Sequence, residues 1–351
     1  MFSSLPFVYM FYIVVGLGSV LSLTSLHWLT IWAGMEMNLI GFLPIMVYNG
    51  SVSDTESAVK YFIIQALGSS LLMFGSVYLY NLCYSWEVLL LSGNVLSFVL
   101  IMSGLLIKLG LFPFHYWVPS VMAGLAWVPC LLLATWQKLA PLFLVGYLMN
   151  FNVLNSLVVT VCLIAGGSSI LGGLGGINQT QVRGLVAYSS IGHMGWLIYG
   201  CMQSSWVLKM YYVVYVFIVF SLFVSFLGEN INFMKNLNFM IDYNYLQVIS
   251  VIILLSLGGL PPLLGFMPKV MVISVGVSSS GVVFMALLIV GSLMSLFYYL
   301  HLLYIMVLGF ITKNKLLFSI DKMNNLALLV LVVINLVGGF LGVAADSMTM
   351  F

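Results

Sequence analysis

The chain alternates between long apolar runs and very short polar joins. Eleven runs stand out, at about 5–26, 28–49, 57–82, 89–117, 122–149, 152–174, 178–202, 205–227, 243–277, 279–310 and 323–345. A helix crossing hydrocarbon needs roughly 20 predominantly apolar residues. The pattern therefore predicts an all-α polytopic membrane protein with about eleven transmembrane helices. Only 228–242 and 311–322 are long enough to be loops, so one transmembrane domain over 1–351 is expected. The first run, in MFSSLPFVYMFYIVVGLGSVLSL, carries no basic leader and no Arg/Ser-rich transit pattern. It reads as the first span and not as a targeting peptide.

Two runs are interrupted. In the fourth, Pro113 lies beside Gly110; in the ninth, Gly258-Gly259-Leu260-Pro261-Pro262 is followed by Gly265 and Pro268. Proline cannot donate to the helical ladder and clashes with the preceding turn. Pro141 predicts a milder disturbance in the fifth run, freeing the carbonyl of Gln137. Carbonyls freed at membrane depth need protein or a wet cavity around them. The broken runs lie five apart, an odd number, so halves that repeat must be inverted relative to each other. Interrupted segments at matching places in two halves point to an ion path. The expected organisation is a first inverted five-helix repeat over 1–149, a second over 152–310, and a C-terminal helix at 323–345. In this scheme Glu36 of the second run matches His193 of the seventh.

Composition narrows the class further. The chain is 63% hydrophobic and 5% charged, whereas soluble domains average about 25% charged residues. A net charge of +2 without a Lys/Arg cluster gives no footprint for nucleic acid. Cys83, Cys130, Cys162 and Cys201 stand singly, in no metal-binding spacing, and read as small buried hydrophobes. No dinucleotide, P-loop, haem or iron–sulfur pattern is present, so no cofactor and no metal are expected in this chain. The 22 methionines fit adaptable apolar packing; an organellar genetic code would give the same bias. The Trp and Tyr residues fit interface belts. With eleven alternating spans, Lys60, Arg183, Lys235, Lys313, Lys315 and Lys322 fall at the side where the chain begins and Lys209 at the other. That sorting predicts an N-terminus on the cytoplasm-equivalent side, the matrix of a mitochondrion, and a C-terminus opposite.

The remaining charges carry the chemistry. Lys108, Lys138 and Lys269 sit deep in apolar runs, each within five residues of a proline, and Glu36 lies mid-run in WAGMEMN. An ionised lysine at the bilayer centre costs about 2.5–3.5 kcal/mol on insertion scales, and such groups are functional candidates by default. Removal from water disfavours the charged form, and a nearby carboxylate restores it. Lys108 paired with Glu36 would hold its proton until the pair separates, while Lys138, with no acid near in sequence, is the better relay. The blander reading is a set of static polar groups fixing helix register. His193 could equally be a core histidine bonded to Tyr188 or Ser189. His115 reads as interfacial, and Glu56 with Lys60, four apart, as a helix-surface pair. The sequon at Asn178 falls on the predicted matrix side and is discounted.

The run KLGLFPFHYWVPSVMAGLAWVPCLLLATWQKLAP (108–141) closely resembles the antiporter-like membrane subunits of respiratory complex I in their mitochondrially encoded form. So do WAGMEMN (32–38), ESAVKYFIIQA (56–66), NQTQVRGLVAYSSIGHMGW (178–196) and GGLPPLLGFMPK (258–269), in the same order along the chain. Eleven spans fit the animal form, which lacks three helices of its bacterial relatives. The resemblance implies two inverted repeats with broken helices. It also implies a hydrated axis lined by the Glu36–Lys108 pair, central Lys138 and Lys269 on the second broken helix. His193 falls where relatives place a polar or protonatable link. The implied function is proton translocation within NADH:ubiquinone oxidoreductase in the mitochondrial inner membrane. NADH, FMN, iron–sulfur clusters and ubiquinone would be held by partner subunits, and neighbouring antiporter-like subunits and lipids would surround the chain. Only a few residues follow the last run, with no long lateral helix, so coupling through such an arm would need another subunit. The alternatives are a stand-alone cation/proton antiporter and a structural membrane subunit without transport.

Overall fold

The computed structural model describes residues 7–88, 95–149, 155–227, 244–277, 281–313 and 332–339. They form α1 (Phe7–Thr24), α2 (Trp28–Val47), α3 (Val52–Cys83), α4 (Val95–Leu109), α5 (Trp117–Gly124), α6 (Trp127–Ala134) and α7 (Trp136–Met149). These are followed by α8 (Asn155–Ile177), α9 (Val182–Gln203), α10 (Ser205–Leu227), α11 (Asn244–Gly258), α12 (Phe266–Val277) and α13 (Val282–Lys313). A last helical piece, α14, covers 332–339. An antiparallel bridge joins His27 to Glu87.

Seven helical stretches are long and apolar enough to cross a membrane, α6 and α7 together counting as one. The expected eleven are not reached: the fourth and ninth runs are split into shorter helices, the seventh forms α9, which is long enough but is not among the seven, and most of the eleventh lies outside the described residues. So does the expected loop at 228–242. The bundle turns apolar side chains outward: Met10, Phe74, Val283 and Phe297 are all more than half exposed. Buried hydroxyls return to their own helix, as where Ser19, Ser168, Ser189 and Ser221 each donate to the carbonyl three residues back. This local bond satisfies a polar group with no water at hand.

Two compact units divide between Ile164 and Ala165, inside α8. In the first, α1 packs on α2, α3 on α4, and α7 against α1 and α4. Glycines set the spacing. A Cβ on Gly18 would lie 2.7 Å from Asn38 N and the Gly34 carbonyl, and one on Gly104 would lie 2.7 Å from the Gly68 carbonyl. Small residues let membrane helices approach to backbone contact. In the second unit α9 packs against α10, α12 and α13, and α10 against α11 and α12. A Cβ on Gly172 would strike Gly192 N and the Tyr188 carbonyl. Gly18 thus meets residues 16 and 20 places on, and Gly172 does the same.

The breaks form as the glycines and prolines predict. At the end of α4, Gly110 adopts φ +69°, its N–H donates to the Ile107 carbonyl, and Leu111 N–H donates to Leu106. At the end of α11, Gly259 adopts φ +79°, donates to Ser256, and Leu260 donates to Leu255. Both are Schellman caps, in which a left-handed residue lets two N–H groups return to the last turn. The next helix starts seven residues after each glycine, at Trp117 and at Phe266. The second piece of the first broken helix therefore runs from Trp117 to Gly124, past the expected end at 117. The fifth run is interrupted at Thr135, whose backbone (φ −114°, ψ −80°) ends α6. That is two residues before Gln137, the position expected from Pro141; the turn ahead of the proline ring yields first. His115, expected at an interface, is buried in the first break, with Nδ1 3.2 Å from the Pro113 carbonyl and its ring on Tyr116.

Replacing Gly104 by Val should separate α3 from α4 and destabilise the protein by about 1–3 kcal/mol. Gly16→Ala, at a position with nothing within 4 Å, should be neutral or slightly stabilising. Thermal unfolding of the detergent-solubilised protein reads both.

Candidate functional site

Each deep lysine lies within one turn of a helix interruption. Lys108 occupies the last turn of α4, Lys138 the first turn of α7, and Lys269 the first turn of α12. They are 7%, 2% and 7% exposed. The helix that ends at an interruption leaves unpaired carbonyls with partial negative charge, so an ammonium group finds acceptors there, as Lys269 does from the first turn of α12 on the Gly258 carbonyl that ends α11.

In the first unit the polar groups come from five helices, α2, α3, α4, α5 and α7. Gln65 of α3 donates to the Lys108 carbonyl at 3.4 Å, and the Trp117 indole donates to the Ile107 carbonyl at 3.1 Å. Both carbonyls sit in the final turn of α4, where intrahelical donors run out. Gln137, next to Lys138, donates to Asn38 Oδ1 at 3.0 Å and accepts from the Tyr61 hydroxyl at 3.3 Å. This ties α7 to α2 and α3. Tyr61 is held edge-on to Phe42 and tilted on Trp117. Glu36 interacts electrostatically with both Lys108 and Tyr61.

The expected Glu36–Lys108 pair is not a contact ion pair. Among the described residues the ion pair within 4 Å is Lys60–Glu56, an exposed i,i+4 pair at 2.5 Å. The Lys108 stem lies against α3, its Cγ 3.1 Å from where a Cβ on Gly68 would be. Glu36 instead lines an open cleft between α2 and α3 with Trp32, Ser69 and Ser70. Its buried Oε1 has no hydrogen-bond partner among the described residues. The two charges act on each other through space, across a gap.

In the second unit the structure brings Lys269 and His193 onto one small cavity, with Ser169, Ser189, Ser295 and Tyr299 among its walls. The space suits about one water. Lys269 Nζ reaches back over the break and donates to the Gly258 carbonyl at 2.8 Å. A Cβ on Gly259 would lie 2.7 Å from that nitrogen, so glycine makes the approach possible. His193 Nδ1 lies 3.1 Å from the Tyr211 hydroxyl, and its ring sits 5.4 Å from that of Tyr215. The sequence suggests Tyr188 or Ser189 as partners for this ring. Tyr211 comes from α10, and packing across helices decides the bond. On the register set by the glycine contacts and helix starts, Glu36 corresponds to Ser190, and His193 to Leu39, one turn further on.

Sequence reasoning missed Asn38, Tyr61, Gln65 and Gln137. The signal was there: amides inside apolar runs must find partners, and Gln137 adjoins Lys138. Among the described residues no group of three His, Cys, Asp or Glu side chains is placed to hold a metal. Cys130, Cys162 and Cys201 are buried and Cys83 is half-buried, none of them in a disulfide among the described residues.

Residues 25–295 match a family described as the NADH:quinone oxidoreductase/Mrp antiporter transmembrane family. The chain belongs to this family. NADH-ubiquinone oxidoreductase chain 2 of Lumbricus terrestris is 39% identical over 295 residues, covering 82% of this chain and 83% of that one. Its namesake in Anopheles gambiae is 37% identical over 299 residues, 84% of each chain. Respiratory complex I from Thermus thermophilus with bound aureothin contains a chain that superposes with TM-score 0.80 at 23% identity, over 95% of this chain and 78% of that one. A chain of the Mrp complex from Dietzia sp. superposes with TM-score 0.75 at 15% identity, over 85% and 59%. The antiporter-family fold is thus shared by respiratory and antiporter assemblies.

Gln137→Leu should leave Asn38 Oδ1 and the Tyr61 hydroxyl without their partner, costing about 1–3 kcal/mol. Asn38→Leu should cost a similar amount, and the double variant clearly less than the sum. A double-mutant cycle on thermal unfolding measures the coupling; strict additivity would mean the bond ties nothing.

Proposed function

We propose that the chain is an antiporter-like, proton-translocating membrane subunit of NADH:ubiquinone oxidoreductase in the mitochondrial inner membrane. The observation that carries this reading is the placement of three nearly buried lysines at three helix interruptions, two of them bordered by polar side chains from other helices. Relatives named NADH-ubiquinone oxidoreductase chain 2 support the assembly. Redox chemistry belongs to partner subunits, which hold NADH, FMN, iron–sulfur clusters and ubiquinone, and neighbouring antiporter-like subunits flank this one.

Glu36, Lys108, Lys138, His193 and Lys269 form the proton relay. Glu36 and Lys108 interact across a gap, so their coupling responds to small shifts of α2 against α4. A change transmitted from the redox partners moves Glu36 relative to Lys108, and the altered field changes how firmly Lys108 holds its proton. Lys138, tied through Gln137 to the Glu36 helix, takes part next. His193 and Lys269 share one cavity and hand a proton between them through a single water. Each proton moved against the membrane potential costs about 2.3 kcal/mol per 100 mV.

The two inverted repeats, 1–149 and 152–310, with 323–345 as an added helix, are part of the same proposal. The matching caps at Gly110 and Gly259 and the matching contacts of Gly18 and Gly172 support it. The sorting of Lys60, Arg183 and Lys313 against Lys209 supports an N-terminus in the matrix and a C-terminus in the intermembrane space.

Lys138→Met in the assembled complex should abolish or strongly reduce NADH-driven proton pumping into liposomes while the complex still assembles, and Lys138→Arg should retain part of it. Normal pumping by an assembled Lys138→Met complex would leave a structural subunit. Proton exchange by the purified chain alone would instead favour a stand-alone antiporter.

A further inference from the structure

The two breaks share a cap, but they are braced differently. At the first, the indole of Trp117 donates into the last turn of α4. The residue in the same register at the second break is Phe266, which has no donor. The brace there comes from α14. Asn335, wholly buried, donates through Nδ2 to Ser256 Oγ at 3.0 Å and accepts from the Leu264 N–H at 3.3 Å. Ser256 is in the last turn of α11 and Leu264 lies just before α12, so one amide holds both banks of the break. Ser256 Oγ in turn donates to the Ile253 carbonyl at 2.7 Å.

The fit of α14 is equally specific. A Cβ on Gly339 would fall 2.2 Å from the Pro262 carbonyl, and one on Gly338 would fall 2.6 Å from the Leu264 side chain. Glycine at both positions lets the helix lie directly on the interrupted backbone. A second tie across this break is Lys269 Nζ to Gly258. One tie carries a titratable group and the other is neutral.

We infer that Asn335 is a positioning residue for Lys269: it fixes the gap between α11 and α12 so that the lysine keeps its place on the His193 cavity whatever its protonation state. The inference rests on the proton-relay reading. Without the neutral tie, the distance between the half-helices would depend on the lysine's own bond, and the lysine could not give up its proton from a fixed position.

The test compares Asn335→Leu, Ser256→Ala, Lys269→Met and the Asn335→Leu/Lys269→Met double variant in the assembled NADH-oxidising complex, reconstituted in liposomes. Protons pumped per NADH oxidised are measured across pH. Asn335→Leu should lower this ratio and shift its pH profile, and the double variant should lose no more than Lys269→Met alone. Ser256→Ala removes the bond from Asn335 Nδ2, together with the hydroxyl's own bond to Ile253, without altering the backbone, and should show the same shift to a smaller degree. It decides the matter if Asn335→Leu does not assemble. An unchanged ratio and pH profile in assembled Asn335→Leu, or in Ser256→Ala where the former is lost, would overturn the positioning role while leaving the relay intact if Lys269→Met is impaired. Additive losses in the double variant would also overturn it. Normal pumping by Lys269→Met would remove the relay role of Lys269, and this inference with it.

Discussion

A backbone carbonyl that loses its helical donor inside a bilayer must find another donor, from the protein or from water that the protein encloses. Bulk water is absent there, and an unmet group costs several kcal/mol. Each break in this bundle creates that demand. At the first, Gln65 and Trp117 meet it on the carbonyls of Lys108 and Ile107. At the second, Lys269 Nζ meets it on the carbonyl of Gly258, while the backbone N–H of Leu264, which the break also frees, donates to Asn335 Oδ1. The groups that make the breaks tolerable also bring polar chemistry to membrane depth, so the architecture and the candidate proton path share one origin.

Much of this was legible in the chain. Gly110 and Pro113, and Gly258 to Pro262, announced both interruptions because backbone chemistry there is local. The bounds of α10 follow directly from the apolar run 205–227. Side-chain pairing was less legible, because it depends on how helices rotate and settle against one another. His193 meets Tyr211 on the next helix, Gln137 meets Asn38 at a separation of 99 residues, and Asn335 meets Leu264 at a separation of 71. Lys108 is buried and Glu36 half-buried, and the two, expected as a pair, make no contact within 4 Å. Spacing along a chain does not say which way a glutamate turns on its helix, and Glu36 turns toward Ser69 and Ser70.

That gap has functional weight. A contact ion pair is held by its own geometry, whereas charges out of contact respond to small helix shifts and to any water that enters between them. Two charges 4 Å apart interact about four times more strongly at an effective dielectric of 20 than in bulk water, so wetting the space between them would change the coupling steeply. The amide bridge from Gln137 to Asn38 links the helix of Glu36 to that of Lys138, giving such a shift a mechanical route to the central lysine.

The central claim is that these buried charges work through water held at the helix breaks. It is tested most directly by an experimental map of the assembled complex at a resolution that shows ordered water. The account predicts a water in the cavity between His193 and Lys269, and water against Glu36 Oε1 in the cleft beside Ser69. Dry packing at both places, with side chains or lipid filling the space, would contradict it.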